Sequence, residues 1–116
     1  MVAKVFLNGN LTKETIKLSN ETGYGKSVNV ILNNIGAYIY GYISSLSSST
    51  SIVKIGVVSD KRLYAQTTGY YHVIPFYASS NQYNPVGSLW IDNKGVATLY
   101  KQTTQTIGYV VGYILY

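Results

Sequence analysis

The sequence contains no cysteine. Disulfides, thiolate metal centres and thiol nucleophiles are therefore excluded. Acidic residues are scarce: Glu14, Glu21, Asp60 and Asp92 are the full set. Charged residues make up 11% of the chain, well below the usual quarter or so, and a domain this poorly charged is expected to hide surface in an oligomer. The single histidine, His72, has no Asp or Glu neighbour. One imidazole and four scattered carboxylates do not make a ligand set for zinc or calcium, so no metal or other cofactor is expected. There is no Gly-x-Ser-x-Gly elbow to support a serine nucleophile. Asp60 and Asp92 both fall in turns, where aspartate has a local backbone role, so paired carboxylates for glycoside hydrolysis are not evident either. No catalytic residue is assigned and the chain reads as a non-enzyme.

Other signals are missing too. Gly23-Tyr24-Gly25-Lys26-Ser27 contains the Gly-Lys-Ser of a phosphate loop, but Asn20 stands where the first glycine is required. Met1 to Leu7 lacks the layout of a cleavable signal. No apolar run is long enough to cross a bilayer as a helix. Apolar residues nowhere keep the i, i+3, i+4, i+7 spacing of a helix, and no repeat with a period of 20–50 residues is present.

What the chain does have is thirteen tyrosines in 116 residues. A tyrosine ring packs as a hydrophobe while its hydroxyl needs a partner or water. Tyrosine is also a good strand residue, so some rings belong to a core and others to a contact surface. The net charge of +5 comes from lysines spread singly along the chain, with only Lys61-Arg62 adjacent. Nucleic-acid proteins cluster their basic residues and favour Arg, so nucleic acid is not the expected partner.

Short β-branched and aromatic runs alternate with Gly, Asn, Ser and Thr. Predicted strands cover Val2–Leu7, Leu11–Leu18, Val28–Leu32, Ile35–Ser44, Ile52–Val58, Arg62–Thr67, Tyr70–Tyr77, Val86–Ile91, Val96–Tyr100 and Ile107–Tyr116. Asn8-Gly9-Asn10 and Asp92-Asn93-Lys94-Gly95 are tight turns, and Ala78–Pro85 reads as a polar loop. Pro75 argues for an edge position or a bulge. About ten short strands at this spacing predict an all-β fold: one domain over residues 1–116, an antiparallel β-sandwich of jelly-roll or Greek-key type. Tyr38, Tyr40 and Tyr42 share one face of their strand, and Ala37, Ile39, Gly41 and Ile43 share the other. The aliphatic face is taken as core, although the reverse assignment also satisfies the alternation. Tyr38, Tyr40, Tyr42, Tyr109 and Tyr113 are the candidate oligomer interface.

Saccharides stack their C–H faces on aromatic rings and satisfy their hydroxyls with Asn, Gln, Asp or His. The stretch from Tyr70 to Asp92 holds this inventory. Tyr70, His72, Asn81, Tyr83, Asn84, Trp90 and Asp92 are the candidate ligand-binding residues. Each also has a plainer reading: Trp90 as core, His72 as a hydrogen-bonded strand residue, Asn81 to Asn84 as a solvated loop.

The last third runs Gly87-Ser-Leu-Trp-Ile-Asp-Asn-Lys-Gly-Val-Ala-Thr-Leu-Tyr100, then a Thr-rich link, then Ile107-Gly-Tyr-Val-Val-Gly-Tyr-Ile-Leu-Tyr116. Over residues 70–116 it resembles the C-terminal heads of tail-fibre and baseplate receptor-binding proteins from phages of Gram-positive bacteria, through hairpin chemistry and aromatic spacing. The resemblance implies a small β-sandwich head, usually a homotrimer, that binds cell-wall saccharide or a teichoic-type polymer on the host surface. It also implies a virion location and contacts with other tail proteins. No site residue is carried over from it. Such heads usually follow a stem, whereas this chain opens on strand-like sequence at Met1, which reads as a stand-alone virion protein or a fragment. The alternative function is a structural virion protein whose tyrosine faces are subunit interfaces.

Overall fold

The computed structural model describes residues 12–15, 25–32, 34–58 and 60–116. Within them the chain forms eight strands: β1 (Thr12–Thr15), β2 (Gly25–Leu32), β3 (Gly36–Ser44), β4 (Ile52–Val57), β5 (His72–Ala78), β6 (Asn81–Ile91), β7 (Val96–Lys101) and β8 (Gly108–Leu115). All pair antiparallel in a single sheet of order β1-β2-β3-β8-β5-β6-β7-β4. The all-β, antiparallel expectation holds. One continuous sheet stands in place of the two sheets of a sandwich. The strand expected at Val2–Leu7 and the turn at Asn8–Asn10 lie outside the described residues, as do both flanks of β1.

The sheet curls because its middle joint is short. β8 meets β3 along eight residue pairs but β5 along only two, Phe76↔Val110 and Tyr77↔Tyr109. Pairing with β8 stops just before Pro75, which has no N–H to extend a ladder. The proline was expected at an edge or a bulge; it is found inside the sheet, where the ladder with β8 ends and just before the β5–β6 register shifts between Phe76 and Tyr77. Gly108 makes the same corner possible, since a Cβ there would sit 2.4 Å from the Tyr77 carbonyl oxygen and 2.6 Å from the Phe76 ring. Both sides of the joint therefore close over one core. Val28, Val30, Ile39 and Ile43 from one side and Ile74, Phe76, Leu89, Leu99 and Ile55 from the other belong to a single buried cluster. Each such fully buried side chain contributes roughly 1.5–3 kcal/mol.

Strand alternation decides what faces outward. On β3, Ala37, Ile39 and Ile43 are buried while Tyr38, Tyr40 and Tyr42 lie on the outer face, so the aliphatic face is the core face. On β6, Leu89 and Ile91 point in and Trp90 is only half-buried on the outside, which removes the reading of Trp90 as core. β2 begins at Gly25 rather than Val28 and β5 at His72 rather than Tyr70, and two assignments change outright. Arg62–Thr67 is not a strand: Lys61–Leu63 forms one 3-10 turn, with Asp60 Oδ1 accepting the Arg62 backbone N–H at 2.9 Å, because the Asp at its start captures the backbone before a ladder can form. The Ala78–Pro85 loop is instead a hairpin whose strand β6 begins at Asn81.

Lys101 breaks the alternation. It follows Ala97 and Leu99 on the inward face of β7 and is 6% exposed. Its ammonium donates to the carbonyl oxygens of Ser47 (2.8 Å), Thr50 (2.7 Å) and Thr103 (2.9 Å). Three close acceptors require the three N–H donors that only the charged form has. Burial nonetheless pulls its pKa below the ordinary lysine range. The contacts tie the Ser-rich 45–51 loop to the end of β7.

Candidate functional site

The segment between the 3-10 turn and β5 carries the first site. It is irregular but anchored. The Ala65 N–H donates to the Asp92 carbonyl at 3.0 Å, Asn93 Nδ2 donates to Thr68 Oγ1 at 3.1 Å, and His72 Nε2 lies 3.1 Å from the Tyr64 carbonyl oxygen. The last contact assigns the proton to Nε2 and leaves Nδ1 as an acceptor in the neutral ring. The segment is thereby fastened to the β6–β7 turn. That turn is itself closed by Asp92, whose Oδ1 accepts the N–H groups of Lys94 (2.8 Å) and Val96 (2.9 Å). Gly95 completes it at φ +81°, a conformation glycine adopts without cost.

Against this frame lies an open pocket of about 390 Å³ lined by Gln66, Thr67, Tyr70, Tyr71 and His72, with Ala65 at its base. It joins a second hollow of about 460 Å³ through the shared residues Ala65, Gln66 and His72, and the second hollow reaches Lys61, Arg62 and Tyr116. Asp60 compensates Arg62 at this end: the carboxylate takes a 2.6 Å ion pair with Nη2, and the Arg62 hydrogen bond holds its pKa below the usual carboxylate value.

Tyr71 connects the pocket to the outer face of the sheet. Its ring packs on Trp90 with centroids 5.0 Å apart, and Trp90 packs on Tyr100 at 5.1 Å. Trp90 Nε1 donates to Ser88 Oγ at 2.7 Å, which holds the indole in place. The result is an aromatic strip running from the residue just ahead of β5 across β6 to β7, with the exposed Val73 and Ile52 beside it. Hydrogen-bonding side chains stand at one end and fixed ring faces along the rest.

Of the sequence-derived ligand candidates, Tyr70 and His72 therefore meet in one pocket, and Trp90 adjoins it through Tyr71. Asn81, Tyr83 and Asn84 lie elsewhere, on the β5–β6 hairpin. Tyr83 is 90% exposed, and Asn81 Oδ1 accepts its backbone N–H. Asp92 is engaged in its turn. Gln66, Thr67 and Tyr100 are additions of the structure, and Tyr71 belongs to the aromatic inventory of the Tyr70–Asp92 stretch without being among its candidates. For Tyr71 the signal was parity: on an extended chain it shares a face with Val73, opposite Trp90.

The second surface is the tyrosine face. All five interface candidates lie on the outer side of the neighbouring strands β3 and β8, joined by Tyr77 of β5. Tyr38 packs on Tyr40 (5.2 Å) and Tyr113 (4.9 Å), while Tyr109 packs on Tyr42 (5.8 Å) and Tyr77 (5.6 Å). Between these two groups runs a groove of about 620 Å³, with Gly41, Val110 and Val111 among its lining and Asn29 at its margin.

Among the described residues no group of three or more His, Cys, Asp or Glu is placed to hold a metal ion. Among the same described residues no helix is long and apolar enough to cross a membrane. Comparison with family models, curated proteins and solved structures finds no match to this chain.

Proposed function

We propose that this protein is a non-catalytic recognition domain that binds a saccharide at the pocket beside Tyr71 and along the Trp90 strip. The observation that carries the reading is the position of Tyr71, which belongs both to a pocket with Gln66, Thr67 and His72 and to the Tyr71–Trp90–Tyr100 strip. A pyranose needs both kinds of surface. Its apolar C–H face stacks on a ring, and its hydroxyls need donors and acceptors once water is displaced. Gln66 supplies both amide groups, Thr67 a hydroxyl, and His72 Nδ1 an acceptor. Binding residues on a segment anchored to a rigid sheet are the common arrangement for recognition.

The resemblance of residues 70–116 to phage receptor-binding heads makes the saccharide a host cell-wall polymer and the setting a phage tail. A second reading, an assembly protein whose tyrosine faces contact other subunits, draws support from the absence of charged residues in β3, β5 and β8.

The test is binding of the purified protein to wall polysaccharides isolated from Gram-positive bacteria and to a broad glycan array. Saturable binding that Tyr71→Ala weakens by roughly tenfold supports the reading. Absence of binding across the panel, or equal binding by folded Tyr71→Ala protein, rejects it.

A further inference from the structure

We infer that the tyrosine face of β3, β8 and β5 is the docking surface for a second copy of this chain, arranged about a two-fold axis. The inference is independent of the saccharide site. It rests first on charge. The chain carries +5, so two copies repel one another over most orientations. The strands β3, β5 and β8 contain no Lys, Arg, Asp or Glu. A strongly charged partner gains nothing from such a face, whereas a like-charged copy meets its smallest electrostatic cost there.

Shape is the second argument. The rings form two ridges, Tyr40–Tyr38–Tyr113 and Tyr42–Tyr109–Tyr77, with the groove between them. A surface made of a groove flanked by ridges complements itself: turned by a two-fold rotation, the ridge of one copy enters the groove of the other, and the reverse contact forms at the same time. The chemistry of the rims matches too. Each phenol both donates and accepts, so hydroxyls brought together across the axis satisfy one another. Two protruding rings, Tyr42 at 55% and Tyr113 at 64% exposure, supply the area that docking removes from water.

The size of the face sets the strength. Strands about 4.8 Å apart rising about 3.3 Å per residue give a footprint of roughly 15 by 26 Å for this face. Two copies of that footprint come to about 800 Å², below the roughly 1,200 Å² at which standard specific interfaces begin, so the dimer is expected to be weak and transient, forming at tens to hundreds of micromolar rather than permanently.

The experiment is sedimentation velocity on the full chain from low-micromolar to near-millimolar concentration, with circular dichroism confirming the fold of each variant. The expected result is a concentration-dependent shift from 12.8 kDa to twice that mass. Tyr42→Lys and Tyr113→Lys, at exposed positions, are each expected to weaken association by about tenfold or more. Tyr83→Lys, which adds the same charge away from the face, is expected to leave it unchanged. A monomer at every concentration overturns the inference, as does a trimer mass or wild-type dimerisation in folded Tyr42→Lys protein. A monomeric wild type that loses glycan binding on Tyr42→Lys would likewise overturn it and make the groove a ligand site.

Discussion

The ring of Tyr71 packs against the ring of Trp90 at 5.0 Å and an interplanar angle of 57°, in the tilted geometry that aromatic pairs prefer. Through this contact a residue just ahead of β5 and one near the end of β6 become a single surface. Tyr71→Ala is expected to weaken saccharide binding by about 1–2 kcal/mol, roughly tenfold. Trp90→Phe, which keeps a ring but loses the hydrogen bond to Ser88, is expected to have a smaller effect. Titration calorimetry on folded variants gives both values. Tyr83→Ala serves as the reference substitution, and a loss of affinity there would move the site to the β5–β6 hairpin.

The buried ammonium of Lys101 holds the loop that precedes β4. Replacement by Met keeps the aliphatic stem and leaves the carbonyls of Ser47, Thr50 and Thr103 without their donor. The expected cost is about 1–3 kcal/mol in urea unfolding. Faster amide exchange around residues 45–51, with β3 and β8 unchanged, would locate the effect. Unaltered stability and exchange would show that water replaces the ammonium without loss.

Asp60 is the group whose titration should matter in acid. Its folded pKa is lowered from 3.8, chiefly by the side-chain hydrogen bond from Arg62. A carboxylate with a depressed folded pKa contributes stability above its unfolded value, and that contribution disappears as pH falls through the folded value. Asp60→Asn is therefore expected to cost up to about 1 kcal/mol at neutral pH, the range of an exposed pair. The difference from wild type should close as pH drops below 3.8. A difference that persists unchanged at pH 2 would assign it to the backbone cap instead.

At Gly95 the reason for glycine is doubled. The residue sits at φ +81°, and an added Cβ would lie 2.4 Å from the Tyr64 ring. Gly95→Ala is expected to lower stability by about 1–3 kcal/mol and to disturb the segment that forms the Tyr71 pocket. Thermal unfolding of the variant, together with its glycan affinity, measures both consequences.

Several features were legible because they are local. The Asp92-Asn93-Lys94-Gly95 turn follows from an aspartate that can accept backbone N–H groups and a glycine that tolerates positive φ. Tyr38, Tyr40 and Tyr42 share one face of β3 as the spacing predicts, because side-chain alternation has a period of two wherever a strand forms. Legibility failed where distant segments compete. Arg62–Thr67 has strand-like residues, but the Asp60 cap and the bond from Ala65 to Asp92 hold it in another conformation. The ligand candidates were grouped by closeness in sequence, yet hairpin β5–β6 carries Asn81 to Asn84 away from the end where Tyr70, His72 and Trp90 gather.

Composition and spacing alone establish an all-β chain without thiol chemistry and a ladder of tyrosines on one side of β3. These follow from composition and from backbone geometry repeated every two residues. The packing of the whole chain sets the bend of the sheet beside Pro75 and Gly108, the inward position of Lys101 among carbonyls, and the bridge that Tyr71 makes from a polar pocket to Trp90. Each of these depends on which strands become neighbours. That choice is made by burial of one shared core, a property of the whole chain that no local pattern encodes.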